Sequence, residues 1–296
     1  MSDETTLERA LEQTLEAARD DGADPEGERH APVSLVARGV HLAYDHKRVV
    51  HGVHLSVPPG RVTAIVGANG CGKSTLLRGL GRIMRPVDGQ VELDGTDLRR
   101  LRPKQVARVL GLLPQQPTAP EGITVAALVA RGRHPHQGAF RRHQATDDEA
   151  VARALALTDT HELAGRRVDE LSGGQRQRVW VAMMLAQDPQ VMLLDEPTTY
   201  LDIAHQVDLL DLLAELNEGR GTTVVMVLHD LNLAARYAHH LVVMARGRVV
   251  QEGAPSEVLT EECVHEAFGM ASRVIADPVS GSPLVLPLGR HGRDVR

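Results

Sequence analysis

Residues 67–75 read Gly-Ala-Asn-Gly-Cys-Gly-Lys-Ser-Thr, which fits the pattern G-x-x-x-x-G-K-[ST] and narrows the possible folds more than any other stretch of the chain. Such a loop needs a strand to deliver the backbone and a helix whose free N–H groups point at an anion. The apolar run 61–66 is therefore expected to be a parallel strand, with a helix beginning near Lys73. Gly67, Gly70 and Gly72 let the backbone wrap a polyanion where a Cβ would obstruct it. Lys73 is suited to reach the β- and γ-phosphates of a nucleotide as a point charge, and the Ser74 hydroxyl to hold Mg²⁺; Asn69 and Thr75 complete the cradle. Lysine is otherwise nearly absent, with only Lys47 and Lys104 elsewhere, so its presence here is not compositional drift.

At 296 residues the chain has length for one large or two small domains, and 42% hydrophobic with 24% charged residues is ordinary for a soluble globular protein. No apolar run approaches the roughly 18 residues of a membrane span. The N-terminus is acidic rather than basic-then-apolar, unlike a signal peptide, and a cytoplasmic chain is expected. Cys71 and Cys263 give no disulfide framework. The net charge of −6 is uneven: residues 1–31 hold ten acids against three arginines, which leaves the rest near neutral and without a broad basic footprint for nucleic acid. Residues 1–32 read as a solvated tail, although Leu7, Leu11 and Leu15 recur at a spacing that a short docking helix would use.

Strands are expected over 33–44 and 49–57, around a polar turn at 45–48, as an antiparallel layer leading into the loop. Asp88-Gly89 and Asp94-Gly95 bracket another short strand, Pro103 starts a brief helix, and 109–113 is again strand-like. From 115 to 167 the pattern turns to helices and loops, suggesting a helical subdomain inserted into an α/β core. The continuous apolar runs 191–194 and 222–228 suit parallel strands buried on both faces. Between them Ile203, Val207, Leu210 and Ala214 recur at helical spacing, as in a crossover helix. Strands at 241–244 and 249–251, two short helices near 255–268 and an extended Pro-rich end complete the chain.

The strand at 191–194 ends in Asp195-Glu196, two carboxylates at the edge of a parallel sheet where ligands of such sheets bind. Strand alternation turns them opposite ways, so Asp195 is expected to hold Mg²⁺ through water and Glu196 to deprotonate an attacking water. Cys71, at a helix N-terminus, sits where a thiol pKa is lowered, or else packs inertly under the loop.

Leu171-Ser172-Gly173-Gly174-Gln175 reads LSGGQ, and with it the chain resembles ABC-type ATPases. Further motifs follow in that family's order: Tyr44 where it stacks an aromatic on adenine, Gln115 as its Q-loop, Leu201-Asp202 as its D-loop and His229 as its switch histidine. The resemblance covers about 33–289. It implies an α/β fold, a P-loop NTPase core of ABC-ATPase type with an antiparallel β layer and a helical subdomain at about 116–185, the ATPase domain spanning 33–270 and an extended segment 271–296. It implies ATP with Mg²⁺, and a head-to-tail dimer in which Ser172, Gly173, Gly174 and Gln175 of one chain cap the γ-phosphate held by Lys73 of the other. Glu196 would be the base, His229 would hold the γ-phosphate and its water, and Gln115 would sense both Mg²⁺ and that water.

The stretches 131–136 and 198–206 and the ending from Asp277-Pro278 to Arg290 are similar to ATPase subunits of iron-siderophore importers, with heme and cobalamin importers close behind. That likeness implies two membrane-spanning permease subunits and an extracytoplasmic binding protein, with this chain at the cytoplasmic face. The Arg- and His-rich stretch 131–143 is read as a surface for the permease, in preference to a metal site at His134, His136 and His143. Chromosome-type relatives need a long coiled coil, for which the 56 positions between Gln115 and Leu171 leave no room, and ribosome-associated ones carry two cassettes. A sensor without turnover would not need Glu196 and His229, and a kinase would lack the stretch 171–175.

Overall fold

Strands buried along both faces cannot sit at a solvent face, and four largely apolar strands of this kind set the architecture. In the computed structural model, which describes residues 29–137 and 145–289, every residue of the strands over 62–67, 191–195 and 223–227 is buried, as are the four central residues of the strand over 240–245. The acidic segment 1–28, His143 and Arg290 lie outside the described residues.

The chain divides into two units. The first begins with an antiparallel hairpin, Leu35–Tyr44 (β1) and Lys47–Val57 (β2), followed by Val62–Gly67 (β3), Lys73–Leu80 (α1), Asp88–Leu93 (β4) and Thr96–Asp97 (β5). The second contains Pro103–Val109 (α2), Leu110–Leu113 (β6), Val125–Ala130 (α3), Ala145–Leu157 (α4) and Gly173–Gln187 (α5). Val191–Asp195 (β7) starts in the second unit and ends in the first; Ile203–Arg220 (α6) belongs to the second. The remainder is in the first: Thr223–Val227 (β8), Leu231–Tyr237 (α7), His240–Ala245 (β9), Arg248–Gly253 (β10), Pro255–Val258 (α8), Glu261–Phe268 (α9), Ser272–Ala276 (β11) and Pro283–Pro287 (β12).

In the first unit β3 pairs in parallel with β8 and β9, β10 runs antiparallel to β9, and the order is β10-β9-β3-β8-β7. A separate layer has the order β2-β1-β4-β5 and is antiparallel throughout. Leu76, Leu77 and Leu80 turn one face of α1 inward; burying each contributes about 1.5–3 kcal/mol. The β1–β2 turn is tighter than expected: Asp45 takes φ +50 and Lys47 already pairs with Tyr44, so Lys47 and Arg48 are strand residues. Gly89 lies within β4 instead of before it, because its backbone passes so close to β1 that a Cβ would sit 2.2 Å from the Gly39 carbonyl oxygen. The Pro-rich end, expected as merely extended, forms the β11–β12 hairpin, in which Val285 alone is deeply buried on β12.

In the second unit the expected crossover helix exists, but its buried face is Leu209, Leu210, Leu213, Leu216 and Asn217; Ile203 is 80% exposed. On α5, Val179, Ala182 and Ala186 are buried as expected, while Met183 is only half-buried and Trp180 and Met184 take the deeper positions.

The stretch 131–137 is less a surface than its composition suggests. Arg133 is tied to Asp147 at 2.9 Å and donates to the Ala186 carbonyl at 2.9 Å, and the His136 ring contacts the Gln187 carbonyl at 2.8 Å. Pro135 and Gln137 carbonyls accept from Arg108 and Lys104. Only Arg131 and His134 of this stretch are exposed, so the reading of Arg133 as a docking residue is corrected: its guanidinium holds α4 and α5.

Candidate functional site

In the first unit, β3 delivers the chain to the loop at 67–72 and α1 leaves it, the arrangement the glycine pattern requires. The three glycines have different reasons to be glycine. Gly67, at φ +152, passes 2.2 Å (measured from an added Cβ) from the Met244 carbonyl oxygen, so its constraint comes from β9 and not from any ligand. Gly70 takes φ +74 with nothing within 4 Å of that position, which leaves its outward side open. Gly72, at φ +108, packs near the Val49 carbonyl. The loop is fastened from below: Gly247 donates to the Cys71 carbonyl at 2.9 Å and accepts from the His51 N–H at 2.8 Å.

No side chain caps α1, whose N-cap is Gly72 in the left-handed region. Lys73 is buried and its Nζ donates to the Gly67 and Ala68 carbonyls at 2.9 and 3.2 Å, bending the side chain back over the loop. Tyr44, at the end of β1, is 43% exposed, and its hydroxyl accepts from Arg78 of α1 at 2.9 Å. Arg78 was not among the residues singled out from the sequence, and nothing but its place on α1 hinted at it.

Asp195 ends β7 fully buried. Burial pushes its carboxyl up from the usual range, with the Ser74 hydroxyl and the Arg78 charge pulling the other way. Despite the nearness of Ser74, neither Asp195 oxygen reaches a partner at full hydrogen-bond geometry among the described residues. A buried carboxylate short of donors beside a serine hydroxyl is a hard-oxygen set suited to a divalent cation. Glu196 follows in a left-handed backbone conformation, φ +54, uncommon for a residue with a Cβ. Its Oε1 lies 2.6 Å from His229 Nε2. The histidine follows β8 between two anchors: the Leu228 N–H donates to Ile65 of β3, and the Asp230 side chain caps α7 through the N–H groups of Asn232 and Leu233.

Cys71 is 7% exposed, and burial raises its thiol pKa against the opposing pull of Lys73. Of the two expectations for Cys71 the inert packing is the one favoured: desolvation outweighs the pull of Lys73.

The second unit carries the other expected residues. Ser172 caps α5: its hydroxyl accepts from the Gln175 N–H at 3.3 Å while its own N–H donates to Gln175 Oε1 at 3.1 Å, a reciprocal box. Gly173 and Gly174 pack against Tyr200 and Leu201, where added Cβ atoms would come within 3.5 and 3.4 Å. Tyr200, at φ +72 and 66% exposed, thus backs the helix start, a role its sequence position did not disclose. Asp202 caps α6, accepting from the His205 N–H at 3.0 Å and lying 2.7 Å from its ring, contacts that hold its carboxyl below the usual range. Gln115 is half-buried just after β6.

A family model described as ABC transporter matches residues 50–199. The ferric enterobactin transport ATP-binding protein FepC of Escherichia coli (strain K12) is 53% identical over 84% of this chain and 92% of its own length. The chain belongs to the ABC transporter family, as an ATP-binding subunit. The achromobactin transport ATP-binding protein CbrD of Dickeya dadantii (strain 3937) is 48% identical over 87% of this chain and 96% of its own, and the hemin import ATP-binding protein HmuV of Myxococcus xanthus (strain DK1622) 44% over 87% and 98%. Among solved structures, an inward-facing ABC transporter assigned to the metal-chelate type aligns with TM-score 0.74 at 28% identity, over 87% of this chain and 98% of that one. The dimeric ATP-binding cassette MJ0796, in a post-hydrolysis state with ADP and Pi, aligns with TM-score 0.67 at 27% identity, over 74% and 98%. This ABC subunit binds ATP and hydrolyses it. Among its described residues no helix is long and apolar enough to cross a membrane.

Proposed function

We propose that this ABC subunit drives import of an iron–siderophore chelate, working as a head-to-tail homodimer on two permease subunits at the cytoplasmic face of a membrane, with an extracytoplasmic binding protein delivering the chelate. The observation that carries the hydrolytic part is the 2.6 Å contact of Glu196 Oε1 with His229 Nε2, in the unit that holds the Lys73 loop. The contact fixes the carboxylate's direction, and Glu196 then takes the proton of the attacking water while His229 steadies that water and the γ-phosphate.

Lys73 and the loop N–H groups hold the β- and γ-phosphates, with Asn69 and Thr75 beside them, and the exposed ring of Tyr44 stacks on the adenine. Ser74 and Asp195 would hold Mg²⁺, with Gln115 sensing it; the ion would neutralise charge on the phosphate oxygens. Ser172, Gly173, Gly174 and Gln175 present a helix start to the γ-phosphate of the opposite chain, with Asp202 at the same interface. The cargo follows from likeness to relatives named for ferric enterobactin and achromobactin transport.

Hemin is the second reading, favoured by the 44% identity with the hemin import protein. The chain should be co-produced with permease and binding protein in vesicles and tested for uptake of labelled ferric siderophore, hemin and cobalamin. ATP-dependent uptake of the siderophore, lost in Glu196→Gln with ATP binding retained, is expected. Uptake of hemin alone would move the assignment to the second reading, and full uptake by Glu196→Gln would remove Glu196 from the base role.

A further inference from the structure

The hairpin β11–β12 is not a loose appendage, because one side chain ties it to the helix that follows His229. Asn232, the second residue of α7, accepts from the Val285 N–H at 2.7 Å and donates through Nδ2 to the Val285 carbonyl at 3.3 Å. Both ends of one amide side chain therefore read both backbone groups of one strand residue, an interaction with the directionality of a strand pair. Val285 is also the deeply buried side chain of β12, 3% exposed. Since its N–H and carbonyl point at Asn232, they point away from β11, and Asn232 takes the place a further strand would occupy at that edge.

The consequence reaches His229 through covalent geometry. Leu228 is fixed to β3, Asp230 caps α7, and His229 is the one residue between these anchors. The direction of α7 therefore sets where the imidazole lies relative to Glu196. Ala234 and Ala235 are the buried residues of this seven-residue helix, and just past its C-terminal end the His239 N–H donates to the Val62 carbonyl of β3 at 2.8 Å, which leaves the N-terminal end, next to His229, to be held. The Asn232 bridge supplies a directional contact there.

We propose that Asn232 is a positioning residue for hydrolysis, clamping α7 to the β11–β12 hairpin so that His229 stays in contact with Glu196. The proposal rests on the reading of His229 as a participant in turnover, and the test separates the two. Steady-state ATPase kinetics would be measured on the full chain for wild type, Asn232→Ala, His229→Ala and the double variant, with thermal melting alongside. Asn232→Ala is expected to lower kcat about tenfold with the KM for ATP within about twofold of wild type, because Lys73 and Tyr44 are not attached to α7. On the His229→Ala background the same substitution should change kcat by less than about twofold, since the residue acts through an imidazole no longer present.

If Asn232→Ala does not fold, the isosteric Asn232→Asp takes its place. Its ionised carboxylate can still accept from the Val285 N–H but repels the carbonyl, and its protonated form regains a donor. Its kcat relative to wild type should then rise as pH falls towards 5. Wild-type kinetics in Asn232→Ala, an equal loss on both backgrounds, or a raised KM with kcat intact would each overturn the proposal. Unchanged kcat in His229→Ala would instead overturn the role given to His229, and with it the route by which Asn232 is said to act.

Discussion

Asp195 opposes stability in the folded chain where the proposed function would need a carboxylate. Its pKa is raised in the folded state, so the stability it contributes is present while it is protonated, below the ordinary carboxylate range, and is lost as pH rises through the raised value. At neutral pH the folded chain therefore bears the cost of a buried charge whose oxygens lack full partners. Asp195→Asn is expected to raise the melting midpoint of the nucleotide-free chain by about 2–4 °C near pH 7 while abolishing Mg²⁺-dependent turnover. Calorimetry in the presence of a chelator checks the first part; an unchanged or lower midpoint would count against it. For Cys71 the sequence offered its helix N-terminus, but a linear pattern does not report how closely Gly247 and Met244 pack beneath the loop. Its raised pKa predicts slow labelling by iodoacetamide near neutral pH, accelerating only on denaturation. Mass spectrometry of labelled Cys71 against Cys263, whose thiol is also pushed up by burial, would show whether either thiol is reactive in the native chain.

Among the elements, α5 is where local stability and the proposed ligand recognition would share the same atoms. Ser172 caps the helix in a reciprocal box with Gln175, so Ser172→Ala should cost about 1 kcal/mol of stability in addition to its effect on turnover. Urea titration measures the first and ATPase assays the second. Gln175→Glu keeps a box-competent acceptor, so its stability should stay near wild type while turnover falls, which separates the two roles. The periodicity of 173–187 gave the helix, and the run 171–175 its start. It could not rank Met183 below Met184, since adjacent positions on an ideal helical wheel do not reveal that Met184 packs beside Gly111 of β6. The same limit applies to Arg133, whose charge suggested exposure until Asp147 and the Ala186 carbonyl were seen around it. Arg133→Glu should therefore destabilise the isolated chain, by roughly 3–5 kcal/mol for a broken buried pair, and be read as a lower melting midpoint, whereas Arg131→Glu should leave it unchanged. Only the second variant reports on permease docking, by co-purification.

At the scale of the molecule, the phosphate loop with Glu196 and His229 falls in one unit and Ser172, Gln115 and Asp202 in the other. The phosphate loop and the Asp195-Glu196 pair stood out by their own chemistry, in a chain with three lysines, whereas Gln115, Ser172, Asp202 and His229 were read from the likeness to ABC-type ATPases. The Asn232 bridge within the first unit was not legible: it spans 53 positions and follows no repeat that a local pattern could expose. The proposed head-to-tail arrangement makes a prediction that needs no structure of the dimer. A chain with Lys73→Ala keeps its signature residues, and a chain with Ser172→Arg keeps its loop; each alone should be inactive, since every composite site in its homodimer lacks one half. Mixed in equal amounts and allowed to exchange, half the dimers pair one of each and carry one complete site of two, so activity should recover to about a quarter of wild type. Recovery should rise with the fraction of heterodimer as either variant is titrated into the other. If each chain instead completed its own site, the mixture would stay as inactive as its parts, and if Ser172 did not touch nucleotide at all, Ser172→Arg alone would turn over at the wild-type rate.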